Sequence, residues 1–136
     1  MILNISPLKQ AYASLNRALE RSMREPGDLE VRDACIQRFE YTYELCIKML
    51  KRYLELEMPL AQQVDQLNYR DLLRIANESG LIGEVERWFQ YREARNQTSH
   101  AYDESKANSV YEVLPSFSKQ AFFLINEMTH RLEKKS

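Results

Sequence analysis

Residues 29–57 read LEVRDACIQRFEYTYELCIKMLKRYLELE, from Leu29 to Glu57, with no glycine or proline anywhere in the stretch. Two apolar seams run through it at helical spacing. One holds Cys35, Phe39, Thr42, Cys46, Met49 and Tyr53; the other holds Ile36, Glu40, Tyr43, Ile47, Leu50 and Leu54. The spacing predicts one long helix whose apolar arc is too wide for a single neighbour. One side suits an intramolecular bundle, and the other suits a second subunit.

The flanks extend this reading. Glu25-Pro26-Gly27-Asp28 is a tight break, and Asp28 is placed to cap the long helix. Before it, Ser6-Pro7 reads as a helix start, with Ser6 as N-cap and Pro7 in the first turn. Leu8, Tyr12, Leu15, Leu19 and Met23 then mark an amphipathic helix over 6–24. Residues 58–68, with Pro59, read as a connection. Asn68 caps a short helix that runs through Ser79 and ends at Gly80. A further helix is expected over 83–101, a short one from Asp103-Glu104 through Leu114, and a last one starting at Pro115 and Ser116. Its apolar face is Phe117, Ala121, Leu124, Ile125, Met128 and Leu132.

With only 3 Gly and 4 Pro in 136 residues, turn signals are too few for a many-stranded fold. The expected class is all-α: a single domain over 1–136, an antiparallel up-and-down four-helix bundle with one or two extra short helices. No repeat is evident. A net charge of −1 excludes a broad electrostatic footprint for nucleic acid, so any such contact must be local or depend on assembly. Cys35 and Cys46 lie eleven residues apart on one helix, about 16 Å along its axis, and cannot bridge each other. Two unpaired cysteines fit a reducing, cytoplasmic setting. Residues 1–20 hold no long apolar run, and no segment approaches a membrane span.

Chemistry concentrates in Arg95-Asn96-Gln97-Thr98-Ser99-His100-Ala101-Tyr102. On a helical wheel with Arg95 at zero, Trp88, Val85 and Phe89 fall near about 20°, 80° and 120° and define an inward arc. Arg92, Asn96 and His100 fall near about 60°, 100° and 140°, and Tyr102 returns close to Arg95. The apolar stripe is therefore expected to turn polar at the motif, where inward polar groups need partners or a ligand. Two readings stand at this point. Arg95 can be a surface arginine whose stem covers Trp88, with His100 at the negative end of a helix. Alternatively the set is a site. Glu40 interrupts an apolar seam, as a paired acid or a site component. His130 sits on a charged helix and carries no assigned role. No His or Cys spacing matches a zinc site, and there is no phosphate-binding glycine loop.

Longer blocks connect the motif to a family. Asp33-Ala-Cys-Ile-Gln-Arg-Phe-Glu-Tyr-Thr-Tyr-Glu-Leu45 with Lys48-Met-Leu-Lys-Arg-Tyr-Leu54 resembles the second helix of the nucleotidyltransferase substrate-binding family, the HEPN-type partners of minimal nucleotidyltransferases. Ala76-Asn-Glu-Ser-Gly-Leu-Ile82, Trp88, Arg95-Asn96 and Thr98-Ser-His-Ala-Tyr102 resemble its second block. The similarity spans roughly residues 10–130; Ile47 stands where the family often has tryptophan.

The resemblance implies a helical-bundle homodimer, paired with a separately encoded minimal nucleotidyltransferase as a toxin–antitoxin system. It implies a metal-independent ribonuclease without a cofactor, in which Arg95 and His100 are the catalytic pair and Asn96 the polar neighbour. It makes Tyr102 the acceptor of AMP groups that silence the nuclease. Glu40 and Arg92 are supporting residues, with Arg92 and Arg95 of two subunits forming a local cationic groove. The family's name carries an alternative, a non-catalytic subunit that binds nucleotide or substrate for the nucleotidyltransferase. A third reading is a structural helical dimer with a polar network at the motif.

Overall fold

The computed structural model describes residues 3–58 and 61–135 and is an all-α bundle. Its helices are α1 (Ser6–Arg24), α2 (Leu29–Glu57), α3 (Ala61–Asp65), α4 (Tyr69–Glu78), α5 (Val85–Gln97) and α6 (Glu104–Lys135). A single 3-10 turn, Thr98–His100, follows α5. No described helix is long and apolar enough to cross a membrane. Pro59 lies outside the described residues; the stretch from 58 to 68, expected as a connection, contains the short α3.

Local chemistry accounts for the helix ends. The Asp28 carboxylate accepts from the backbone N–H groups of Glu30 and Val31, which starts α2 where expected. Asn68 caps α4 through the N–H of Asp71, and Gly80 leaves that helix at φ +81°, a left-handed conformation that favours glycine. Asp103 caps α6 through the N–H groups of Ser105 and Lys106. At α1 the details differ from expectation. Ile5 holds the cap position, Ser6 is the first helical residue, and its N–H is taken by the side chain of Asn4.

The expected break at Pro115 is absent: α6 runs straight through it as one helix. Proline removes the hydrogen bond to the carbonyl of residue 111 and crowds it, a cost of about 3 kcal/mol in a helix interior. Val110, Leu114, Phe117 and Ala121 are all buried on successive turns, so packing on both sides of Pro115 holds the helix together.

α1 and α2 form a hairpin, zipped by Ser14 Oγ to Tyr41 Oη (2.8 Å) and Arg38 to the Ser14 carbonyl (2.8 Å). α6 lies against α1, α2 and α5. Both seams of α2 are covered within one chain. Phe39 meets Phe117 edge-on at 4.9 Å, and Tyr43 meets Trp88 at 6.4 Å. Leu50 and Leu54 are buried, with α3, α4 and α5 also packed on α2. Most of both seams is thus buried within one chain, with Glu40 and Ile47 half-buried. Met23, expected on the buried face of α1, is 68% exposed, and Ala11, Ala18 and Ser22 complete that face instead.

Trp88, Tyr91 and Phe117 make an aromatic knot that docks α5. Trp88–Tyr91 and Tyr91–Phe117 are edge-to-face, each with centroids 5.3 Å apart. Such pairs contribute about 0.5–1.5 kcal/mol each beyond their buried area. This knot fixes the helix that carries the motif.

Candidate active site

The inward stripe of α5 is Trp88, Tyr91 and Ala94, continued by Thr98 in the 3-10 turn. The wheel placed that stripe too far round. Val85 and Phe89 are only half-buried, Phe89 beneath the guanidinium of Arg70, whereas the large ring of Tyr91 and the small Ala94 face the bundle. The 3-10 turn adds a second error, because it advances about 120° per residue rather than 100°. Arg92, Asn96 and His100 therefore face solvent, and Tyr102 is 84% exposed. The motif does not continue the buried stripe; it lines an open strip beside it.

Arg95 sits in the last turn of α5. Its Nε donates to Glu44 Oε1 at 2.9 Å, one terminal nitrogen donates to the same oxygen, and the other reaches Thr98 Oγ1 at 3.4 Å. The Thr98 hydroxyl lies 2.6 Å from Glu40 Oε2 and 2.8 Å from the Arg95 carbonyl. A hydroxyl has one proton to donate, so these two acceptors compete for it. Glu40 is thus a paired acid in the network behind the motif, and α2 holds the motif through Glu40 and Glu44, one helical turn apart. Glu44 and Thr98 were not singled out in the sequence. The i, i+4 spacing of Glu40 and Glu44 was the available signal, since two carboxylates on one helical face suit a shared cation or donor.

A guanidinium carries five N–H donors. Among the described residues, Arg95 commits three, which leaves two for a ligand. Its side chain is 29% exposed, so these donors are within reach of solvent. His100 stands three residues beyond Gln97 with its ring against that of Tyr102, centroids 6.1 Å apart and planes at 72°. Its imidazole has no hydrogen-bond partner among the described residues. Asn96 is exposed beside Arg95.

One turn earlier, the Arg92 guanidinium sits over the Tyr69 ring at 4.1 Å, and that of Arg70 over Phe89 at 4.5 Å. Burial pushes the Tyr69 phenol up, against an opposing pull from Arg92. Among the described residues, no three His, Cys, Asp or Glu side chains form a metal-binding group. The arrangement offers a positioned cation with free donors, an accessible imidazole and an accessible phenol. That set can bind a phosphate, move a proton and accept a group.

Residues 3–130 match the protein family described as nucleotidyltransferase substrate binding protein like. The chain is 36% identical over 137 residues to a Haemophilus influenzae protein named probable ribonuclease HepT, covering 95% of this chain and 94% of that one. A solved Haemophilus influenzae structure, described as revealing the fold of a substrate binding domain of a nucleotidyltransferase, superposes with a TM-score of 0.87. It is 33% identical, and the match covers 93% of this chain and 99% of the other. A Thermus thermophilus structure superposes with a TM-score of 0.72 at 27% identity, over 89% of this chain and 98% of that one.

Proposed function

The chain belongs to the nucleotidyltransferase substrate-binding family, and from that premise we propose that it is a metal-independent RNA endonuclease. In this reading it is the toxin of a toxin–antitoxin pair, silenced when a partner nucleotidyltransferase adenylylates Tyr102. The observation that carries the proposal is Arg95, oriented by Glu44 and Thr98 yet with two guanidinium donors uncommitted, in one motif with an accessible imidazole.

RNA supplies its own nucleophile, the ribose 2′-OH. His100 takes the 2′-OH proton as the oxygen attacks phosphorus. The 5′-oxygen leaves with a proton from an acid, and the 2′,3′-cyclic phosphate remains. Arg95 stabilises the extra negative charge on the pentacoordinate phosphorus, with Asn96 as a neutral donor beside it. One chain has a single histidine in the motif, so the leaving-group acid is assigned to His100 of the partner subunit in a two-fold homodimer. Silencing follows from position. The Tyr102 oxygen attacks the α-phosphorus of ATP, pyrophosphate leaves, and an anionic AMP diester then stands beside His100, where RNA must enter. The buried free thiols Cys35 and Cys46 support a reducing, cytoplasmic setting.

The purified protein, freed of metal by chelator, is expected to cut RNA to fragments ending in cyclic phosphate. His100→Ala should lower the rate by on the order of 100-fold or more with an unchanged melting temperature. Co-expression with a minimal nucleotidyltransferase should add AMP masses to Tyr102 and stop cutting. Nucleotide binding without any cleavage would replace this reading with the non-catalytic one that the family's description favours.

A further inference from the structure

The two stacked arginines upstream of the motif form a site of their own. A groove of about 430 Å³ between the start of α4 and the middle of α5 is lined by Asn68, Tyr69, Arg70, Phe89, Arg92 and Glu93. Each arginine has its guanidinium over an aromatic ring, Arg70 over Phe89 and Arg92 over Tyr69. Neither has a carboxylate within ion-pairing distance among the described residues, unlike Arg74 on the same α4, which lies 3.9 Å from Asp71. A guanidinium held over a ring loses less freedom when it binds than a free one. It keeps an outer face for stacking and an in-plane edge of N–H donors for phosphate. A nucleobase and its phosphate ask for both at once. Glu93 also lines the groove and keeps its charge, its carboxylate accepting from Gln97 Nε2 at 3.2 Å, but it makes no ion pair with either arginine.

The groove shares helix α5 with the motif. Phe89, Arg92 and Asn96 follow one another along α5 and His100 comes in the 3-10 turn after it, with roughly 13 Å of axial rise between Arg92 and His100 at ~1.5 Å per α-helical and ~2.0 Å per 3-10 residue. That is a span of a few nucleotides of single strand. We infer that this groove is a subsite for single-stranded RNA beside the cleavage position, where a base stacks on the outer face of Arg70 or Arg92 and the guanidinium edges hold its phosphate. The inference rests on the ribonuclease reading for its substrate and explains how a chain with net charge −1 grips RNA. It gives the protein a local grip through two ring-backed guanidinium groups rather than a broad cationic field.

The test measures binding of a labelled single-stranded RNA of about a dozen nucleotides to the full chain, by fluorescence anisotropy, in a His100→Ala background. Arg70→Gln should weaken binding about fivefold or more and reduce the salt slope by about 0.7. Arg70→Lys should restore the slope but not the affinity, because it keeps the charge and loses the plane. Arg74→Gln, an equal loss of charge on the same helix, should change affinity by less than about twofold. With an intact His100, Arg74→Gln should cut the longer RNA as wild type does.

If Arg70→Gln binds the longer RNA as Arg74→Gln does while wild type cleaves, the subsite is overturned and the ribonuclease reading stands. If binding depends on Arg70 but wild type cuts nothing, the subsite stands and the ribonuclease reading falls. Failure of wild type to bind any RNA removes both.

Discussion

Arg32 and Arg95 each tie α2 to a later segment of the chain, and the difference lies in what they leave over. Arg32 commits all five of its donors: Nε and one terminal nitrogen to Asp33, the two terminal nitrogens to the two oxygens of Glu104, and one of them also to Asn108. Its side chain is 8% exposed. Arg95 makes three contacts at 29% exposure and holds two donors back. A saturated, enclosed guanidinium is a clamp between helices. One that is oriented but unsaturated can take a phosphate. The same residue type, bridging the same helix, thus separates by donor count into a saturated clamp and an arginine with donors to spare.

The largest effect should come from breaking the functional side of that contrast. Arg95→Ala should cut RNA about 100- to 1,000-fold more slowly, the loss typical of one transition-state donor, while urea unfolding barely moves. If Arg95→Ala unfolds easily and cleaves normally, the division is wrong. Arg32→Ala should do the reverse and lose about 2 kcal/mol in urea titration with cleavage per folded molecule retained. That figure is discounted because Asp33 and Glu104 are more than half exposed and regain water when the arginine goes.

A smaller effect sharpens the comparison. Glu44→Ala releases Arg95 from its holder without removing its charge. We expect kcat to fall on the order of tenfold while KM does not rise, since orientation is lost but attraction to phosphate is not. A parallel rise in KM would show that Glu44 acts on binding instead.

The smallest effect concerns acid. Hydrogen bonding from Arg32 holds the Glu104 carboxyl below its usual value. A carboxylate with a lowered folded-state pKa contributes stability that is present above the unfolded value, about 4.3, and is lost as pH falls through the folded one. Wild type should therefore be slightly more stable than Glu104→Gln near neutrality. Thermal melts at a series of pH values should show that gap closing on acidification below the carboxylate range. A gap independent of pH would mean that Glu104 acts through packing alone.

Much of the fold was legible because its signals are local. The Asp28 cap, the uninterrupted stretch to Glu57, and the Asn68 and Gly80 boundaries of α4 each depend on residues within a turn of one another. Pro115 was misread for the opposite reason: tertiary burial of Leu114 and Phe117 outweighed a local breaker. The site was legible in content but not in orientation. Arg95, Asn96, His100 and Tyr102 were recognisable as residue types in sequence, whereas the inward stripe depends on Tyr91 and Ala94 meeting the bundle and on a 3-10 turn that shifts the helical phase. Glu44 and Thr98 acquire their roles only through contacts 51 and 58 residues distant in the chain.

Trp88 is the chain's single tryptophan, fully buried and ringed by Tyr43, Tyr91 and Phe117. It lies two helical turns before Arg95 on the helix that carries the motif. Its emission is therefore a built-in optical gauge of that helix, expected at short wavelength in the folded protein and shifting to longer wavelength when α5 leaves the bundle. Unfolding and any departure of α5 from the bundle can be followed through one native fluorophore, with no label added near the groove.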